Sequence, residues 1–165
     1  VRFELVVPNP DLRALAERLG ARDRPDFAVH VGGLAEALDR ATVAIASTGT
    51  VTLECALCGV PTVAFYKTSW ATYQCAKRLV TVAYAAMPNL LANAPVFPEF
   101  IQQAATPENL ADAARALVAD AARRDQIRQR LAQVVASLGG PGASDRAAAA
   151  ILDLLRAPAG RQPRL

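Results

Sequence analysis

The chain has 165 residues, of which 53% are hydrophobic and 20% are charged, and its net charge is +3. These values exclude a disordered chain and suit one globular domain with a sizeable core. The positive excess is too small and scattered, and the aromatic content of 5% too low, to indicate a nucleic-acid partner. Three cysteines do not make a disulfide framework in a chain of this length, so a reducing compartment is favoured.

No signal-peptide pattern opens the chain, which begins at Val1 with a strand-like run. The absence of an initiator Met suggests a piece of a longer protein. Residues 79–97 carry no charge, but Pro88, Asn89 and Pro95 interrupt them. A lipid-exposed span would leave the freed backbone groups unsatisfied, so we expect a buried strand and loop there.

Strands and helices alternate in the first half of the chain. Apolar runs predict strands over residues 1–7, 27–31, 43–46 and 62–66. Capping and stop residues predict helices over residues 10–19, 34–40 and 50–57, and a charged loop over residues 21–26. Short loops between alternating elements are typical of right-handed βαβ units. The sequence therefore predicts an α/β fold with a Rossmann-like parallel sheet flanked by helices.

The second half predicts one more strand and several helices. We expect an amphipathic helix over residues 69–80, a last strand over 81–87, a loop over 88–95 and a short helix over 98–103. Thr106 caps a helix that runs to residue 118, a long helix covers 123–138, and Ser144 caps a final helix that ends at 155. We expect residues 1–156 to form one domain and residues 157–165 to be a flexible tail.

The turn Ser47-Thr48-Gly49-Thr50 joins a buried strand to a helix start. Gly49 permits backbone angles and a close approach that a Cβ would hinder. A strand that turns through Gly into a helix directs free N–H groups and a positive dipole end at one point, which is a geometry that binds phosphate. The turn is neither a Walker loop nor a GxGxxG fingerprint, and a simple connection is an equal alternative.

Glu54 is the single acid between Arg40 and Glu99, and it lies within an apolar helix. A carboxylate buried there without a partner would be costly. Near the carboxyl end of a strand, a carboxylate can accept hydrogen bonds from ribose hydroxyls. We expect Glu54 to bind a sugar, and stabilisation of its own helix is the alternative.

A cysteine pair and two single residues each have a structural and a functional interpretation. Cys55 and Cys58 have CxxC spacing, but a zinc site needs more ligands than His30 and Cys75 could add, so packing is favoured. His30 precedes a Gly-Gly turn, and a structural role is favoured for it as well. Asn89 fits both an Asx turn and a ligand contact at the sheet edge.

One predicted helix carries aromatic and basic side chains together. They are Trp70, Tyr73, Lys77 and Arg78. Tyr73 and Lys77 are four residues apart and share a face. The alternatives are an ordinary surface helix and a face for anionic lipid.

A set of short motifs, in this order, resembles the C-terminal half of lipid-A-disaccharide synthase. The resemblance runs from Val1 to about Leu155. Its motifs are Thr48-Gly-Thr-Val-Thr-Leu-Glu54, Gly59-Val-Pro61, Tyr66-Lys67, Ala76-Lys-Arg-Leu79, Pro88-Asn-Leu-Leu-Ala92, Pro98-Glu99, Ala105-Thr-Pro-Glu108 and Gly142-Ala-Ser144 with Arg146-Ala.

The resemblance implies the donor-binding half of a GT-B glycosyltransferase. That enzyme transfers 2,3-diacylglucosamine from UDP-2,3-diacylglucosamine to 2,3-diacylglucosamine 1-phosphate and releases UDP, with no metal and no cofactor. It implies that Thr48, Gly49 and Thr50, beside Ser47, hold the diphosphate and that Glu54 holds the ribose. It further implies that Asn89 lies beside the donor, and that the turn containing Gly33 and Leu34 borders the uracil.

Further implications concern the rest of the enzyme and its surroundings. The general base would belong to an N-terminal domain outside this chain, so the isolated chain would be inactive. The first strand of the donor-binding domain would also be missing from this chain. The helix with Trp70, Tyr73, Lys77 and Arg78 would face the inner membrane of a Gram-negative bacterium from the cytoplasm. A homodimer is one possible assembly.

Two departures and two alternatives accompany the resemblance. Thr48 replaces a serine, and Asn93-Ala94 stands where the family usually has Gly and a basic residue, although Asn tolerates a positive φ. Another UDP-sugar enzyme of the same fold is the first alternative, such as a peptidoglycan N-acetylglucosaminyltransferase or a UDP-sugar epimerase. A non-catalytic UDP-binding fragment is the second.

Overall fold

The structure is a computed structural model that describes residues 1–69, 72–73, 82–140 and 142–156. The strands of the described residues are β1 (Phe3–Val7), β2 (Phe27–Val31), β3 (Ala44–Ser47), β4 (Thr62–Tyr66) and β5 (Glu99–Ile101). Their helices are α1 (Pro10–Arg18), α2 (Leu34–Arg40), α3 (Thr50–Leu57), α4 (Met87–Ala92), α5 (Pro107–Ala119), α6 (Ala121–Ser137) and α7 (Ala143–Arg156). Short 3₁₀ turns cover Ala21–Asp23 and Gln102–Ala104.

The described strands form two parallel sheets. β1 pairs with β2, with Phe3 opposite Phe27. The other sheet has the order β3-β4-β5, with Ile45 opposite Val63 on one side of β4 and Phe65 opposite Phe100 on the other. Parallel strands joined by helical crossovers confirm the predicted Rossmann-like α/β class.

The hydrophobic core surrounds the central strand β4. Val63 and Ala64 have no exposed surface, because helices cover both faces of a parallel strand. Residues from the loops and helices around it complete the cluster, including Leu38, Cys55, Phe97, Leu117 and Leu131. The core therefore lies directly beneath the carboxyl ends of β3 and β4.

Helix starts follow the predicted capping residues in two places. Asn9 Oδ1 accepts a hydrogen bond of 2.9 Å from the Leu12 N–H at the start of α1. Thr106 Oγ1 accepts one of 3.2 Å from the Asn109 N–H at the start of α5. Both side chains satisfy a donor that a helix start leaves without a partner, as the sequence predicts.

Three predictions for residues 82–103 are wrong. No strand occurs in the described part of 81–87, the loop predicted over 88–95 is largely helix α4, and the helix predicted over 98–103 is strand β5 followed by a 3₁₀ turn. Pro88 suits the first turn of a helix, and Asn93 ends α4 in the left-handed region at φ 46°. Asn93 therefore adopts the positive φ that asparagine tolerates.

The contacts divide the chain into two compact units, Val1–Val135 and Ala136–Leu165. The first unit contains both sheets. The single domain expected for residues 1–156 stays a prediction, and the expected tail at 157–165 lies outside the described residues.

The second unit contains α7, whose described side chains are exposed. Arg146 Nη2 donates a hydrogen bond of 3.2 Å to the Gly140 carbonyl oxygen before the helix. Because α7 starts at Ala143, Ser144 lies within its first turn instead of capping it. Among the helices of the described residues, none combines the length and the apolar character that a membrane crossing needs.

An ion pair fastens α2 to β1. Arg40 Nη2 lies 2.8 Å from Glu4 Oε2, and Arg40 Nε donates to Glu4 Oε1 over 3.4 Å. The hydrogen bond from Arg40 is the main reason that the pKa of Glu4 is lowered. Because the folded pKa is the lower one, the pair stabilises the fold above the unfolded pKa, and this contribution disappears as pH falls through the folded value.

We expect Glu4→Gln to flatten the loss of stability in acid. The variant has no carboxylate at this position to protonate. Its free energy of unfolding should therefore fall less than that of the wild type as the pH is lowered below 4.5, the ordinary pKa of a glutamate. Denaturant unfolding on both sides of that pH measures the difference. Arg40→Gln removes the same pair and should give the same flattening, whereas an unchanged acid profile in both variants would contradict the assignment.

Candidate functional site

The turn after β3 has the geometry expected from its sequence. The Thr48 N–H donates to the Phe65 carbonyl oxygen over 2.8 Å, which continues the β3–β4 pairing by one residue. Gly49 follows at φ 134° and ψ −159°, a conformation open almost exclusively to glycine, and α3 begins at Thr50. Ser47, Gly49 and Thr50 are exposed and Thr48 is half-buried.

Free backbone donors gather at this turn. No hydrogen bond joins the N–H groups of Gly49, Thr50 or Val51 to any residue that the structure describes. The first turn of α3 contains no acidic side chain that would neutralise the helix dipole there. The turn therefore presents unpaired N–H groups and a partial positive charge, which together suit an anionic oxygen.

Thr52 fixes the turn from the inside of the molecule. Its side chain is fully buried, and its Oγ1 donates to the Gly49 carbonyl oxygen over 2.7 Å. The same oxygen accepts a hydrogen bond of 3.2 Å from the Met87 N–H at the start of α4. Thr52 is not among the predicted site residues, because a threonine in a helix gives no sign that it bonds to two other segments.

Glu54 is exposed on α3, four residues after Thr50, and therefore lies on the same side of the helix. The concern that this carboxylate is buried does not apply. Its oxygens make no hydrogen bond or ion pair with another described residue. A charged acceptor thus stands one turn along the helix from the free donors.

Gly33 and Leu34 lie at the turn after β2. Gly33 has φ 73° and precedes α2, and Leu34 is half-buried against the core. A cleft of about 390 Å³ opens beside this turn, and its lining includes His30 and Glu36. His30 Nε2 lies 3.9 Å from Glu4 Oε2, which favours the structural interpretation of this histidine.

Asn89 lies within α4, not in a loop, and its side chain is fully buried. Its Nδ2 donates to the Phe97 carbonyl oxygen over 2.8 Å and to Glu99 Oε1 over 2.7 Å. Its Oδ1 accepts a hydrogen bond of 2.7 Å from the Phe97 N–H. Both amide hydrogens are therefore used inside the protein, and the geometry favours a supporting role over direct contact with a ligand.

Two further residues were missed as parts of this region. Glu99, at the start of β5, accepts hydrogen bonds from the Ala85 and Ala86 N–H groups over 3.0 and 2.9 Å. Gln102 is buried at φ 53°, and its amide bonds to both the N–H and the carbonyl oxygen of Thr68. Pro98-Glu99 is one of the sequence motifs, but the helix predicted there gave no indication that Glu99 bonds to Ala85 and Ala86.

The predicted aromatic and basic helix is described only in part. Trp70, Lys77 and Arg78 lie outside the described residues. Tyr73 is half-buried in a helical turn that Ser69 begins, since Ser69 Oγ accepts a hydrogen bond of 3.2 Å from the Thr72 N–H. The lipid-facing role of these four side chains stays a prediction.

Cys55 and Cys58 differ in their surroundings. Cys55 is 1% exposed in the core, and burial raises the pKa of its thiol. Cys58 is exposed after the end of α3. Within the described part of the chain, no three His, Cys, Asp or Glu side chains are grouped so that they could hold a metal ion.

The structure brings some of the predicted residues together. The turn at residues 47–50 is joined to α4, which carries Asn89, through Thr52, and Glu54 stands on the helix that follows the turn. The turn at Gly33 belongs to the other sheet, and no hydrogen bond between described residues connects the two turns. Both turns follow the carboxyl ends of parallel strands, where α/β folds bind ligands.

A glycine turn between a parallel strand and a helix start, within this fold, defines a Rossmann-like α/β protein. A family model described as lipid-A-disaccharide synthetase matches residues 1–153. The chain belongs to that family.

Three curated relatives, all called lipid-A-disaccharide synthase, illustrate the similarity. The protein from Anaeromyxobacter dehalogenans is 36% identical over 151 residues, which are 92% of this chain and 39% of the relative. That from Syntrophus aciditrophicus is 34% identical over 94% of this chain and 41% of the relative. That from Trichlorobacter lovleyi is 44% identical over 67% of this chain and 29% of the relative. The chain thus spans about two fifths of the length of the first two relatives.

We expect Gly49→Ala to destabilise the fold by about 1–3 kcal/mol. A Cβ at this position meets no atom within 4 Å, so the loss would come from backbone strain at φ 134° and not from a clash. Denaturant unfolding measures it. Gly140→Ala is the matched control, because that glycine also has open space but no positive φ, and equal losses in the two variants would contradict this explanation.

We expect iodoacetamide to modify Cys58 much faster than Cys55 in the folded protein. The thiolate is the reacting form, and burial both shields Cys55 and raises its pKa. Mass spectrometry of the peptides gives the two rates, and denaturant should make them equal. Similar rates in the folded protein would show that Cys55 is accessible.

Proposed function

We propose that the chain is the donor-binding half of a lipid-A-disaccharide synthase. The reaction transfers 2,3-diacylglucosamine from UDP-2,3-diacylglucosamine to the 6-hydroxyl of 2,3-diacylglucosamine 1-phosphate. The products are a β-1,6-linked disaccharide 1-phosphate and UDP, and the hydroxyl proton passes to a base. Family membership and the free N–H groups at the start of α3 support this assignment.

The observation that carries the proposal is the arrangement of unpaired N–H groups and Glu54 on one side of α3. The diphosphate of the donor binds at Thr48, Gly49 and Thr50, where N–H groups and the helix dipole offset its charge. Ser47 lies beside them at the end of β3. Glu54 accepts hydrogen bonds from the ribose hydroxyls, as carboxylates do in dinucleotide folds.

The same turn contributes to the chemistry by stabilising the leaving group. Negative charge gathers on the β-phosphate as the bond from the sugar to UDP breaks. Fixed N–H groups at Gly49 and Thr50 meet that charge without reorganising, which is electrostatic stabilisation of the oxyanion-hole type. The chain therefore binds the donor and supports departure of UDP, while the base comes from outside it and the isolated chain is inactive.

The uracil is assigned to the turn that contains Gly33 and Leu34. The cleft at this turn supports the assignment, because a flat base needs an open face beside the backbone. Asn89 acts from beneath the donor site through Phe97 and Glu99. The predicted helix with Trp70, Tyr73, Lys77 and Arg78 would meet the cytoplasmic surface of the inner membrane, where both lipid substrates would lie.

A further strand, from a segment outside this chain, lies between β1 and β3 in this proposal. Each of these strands pairs on one side only among the described residues. In a doubly wound sheet the first strand lies between the second and the fourth. With the first strand supplied from outside, β1 of this chain corresponds to the second strand and β3 to the fourth. The N-terminal domain that supplies the base would be continuous with that strand.

We expect UDP to bind the wild-type chain and to bind Glu54→Gln more weakly by about 1.5–3 kcal/mol, because a charge-assisted hydrogen bond is lost. Isothermal calorimetry gives both affinities. Glu108→Gln is the matched control, since Glu108 is an exposed acid in the first turn of a different helix. Absence of UDP binding by the wild type would refute the proposed function, and equal affinity in a folded Glu54→Gln would remove Glu54 from the site.

A further inference from the structure

Glu99 occupies an unusual position for a carboxylate. It is the first residue of β5, paired opposite Ala64, and is half-buried. Its two oxygens accept three hydrogen bonds, from the N–H groups of Ala85 and Ala86 and from Asn89 Nδ2. All three donors belong to the segment that begins α4.

The start of α4 is held from outside the helix. Ala86 occupies its N-cap position and has no side chain that could accept a hydrogen bond. Glu99, on a strand that follows in the sequence, accepts the N–H groups of Ala85 and Ala86 just before the helix, and Thr52 Oγ1 accepts the N–H of the first helical residue, Met87. The start of α4 is thus held on one side by Glu99 and on the other by Thr52.

The connection continues from Thr52 to the turn. Thr52 Oγ1 donates to the Gly49 carbonyl oxygen, which shares a peptide plane with the Thr50 N–H. In a trans peptide the carbonyl and the N–H point in opposite directions. A Gly49 oxygen held toward the interior therefore directs the Thr50 N–H outward, to the position assigned to the diphosphate.

Asn89 fixes the other end of this network to the core. Its amide bonds to both the N–H and the carbonyl oxygen of Phe97, which is 1% exposed. Because Asn89 also donates to Glu99, the carboxylate cannot turn away without losing a bond to a buried partner. Hydrogen bonds from Glu99 to the start of α4, and from α4 to Thr52, therefore link the position of β5 to the position of the turn at Gly49.

We propose that Glu99 is a positioning residue for donor binding. It holds the start of α4, so that Thr52 can orient the Gly49 peptide and its N–H group toward the diphosphate. This inference rests on the proposed function. Glu99 touches neither donor nor acceptor, and its effect passes entirely through Met87 and Thr52.

Two isosteric substitutions test the inference through UDP binding. Glu99→Gln places an NH₂ group against a backbone N–H, and Thr52→Val removes the hydroxyl. We expect each to weaken UDP binding about tenfold in calorimetry, as loss of one well-placed hydrogen bond does. Thr52→Ser, which keeps the hydroxyl, and Glu108→Gln should bind UDP as the wild type does.

The double variant shows whether the two residues act through the same segment. If Glu99 acts through Thr52, combining Glu99→Gln with Thr52→Val weakens binding by clearly less than the product of the single effects. In the complete enzyme the KM for the donor should rise in each variant while the KM for the acceptor stays the same. A purely structural role would lower the active fraction and leave both KM values unchanged.

The outcomes separate this inference from the proposed function. If the wild type binds UDP and folded Glu99→Gln binds it equally well, the inference alone is overturned. The same holds if the double variant weakens UDP binding by the full product of the two single effects. If Glu99→Gln does not fold, Thr52→Val decides, and unchanged UDP affinity in that variant overturns the inference. No UDP binding by the wild type overturns the proposed function, and the inference with it.

Discussion

The parallel pairing of β4 with β3 and β5 is the constraint on which the rest of the molecule depends. β4 lies in the centre of its sheet, and Val63 and Ala64 are completely buried. Burial on both faces fixes the register, because a slip by one residue would exchange the side chains of the two faces. Since all three strands run the same way, their carboxyl ends bring the turn at Gly49 to one edge of the sheet.

The polar groups near that edge form a layer of buried and partly buried hydrogen bonds above the core. Thr52, Asn89, Glu99 and Gln102 each bond to the backbone of a distant segment. A buried polar side chain is costly unless its partners are present, so each of these contacts specifies one arrangement of the loops. The apolar core gives the fold its stability, whereas these side chains determine the loop positions.

The sequence predicts the part of the fold in which local signals agree. Apolar runs, caps and glycines identify β1 to β4 and α1 to α3, and the exposed turn at Gly49 follows from them. Prediction fails at α4 and β5, because Pro88 and Pro98 fit several local structures. The start of α4 is instead decided by hydrogen bonds to Thr52 and Glu99, and β5 by its pairing with β4. Hydrogen bonds between distant segments leave no periodic pattern, so Thr52 was missed and the burial of Asn89 was unforeseen.

Gln102 illustrates how narrow the choice of residue becomes at such a position. Its backbone lies in the left-handed region, which favours glycine and asparagine, while its amide must reach both the N–H and the carbonyl oxygen of Thr68. Glycine would relax the backbone and lose both bonds, asparagine is one methylene too short, and glutamate lacks the donor. Mutational drift at this position is therefore restricted twice over, by the main chain and by the side chain, although the residue lies on no predicted motif.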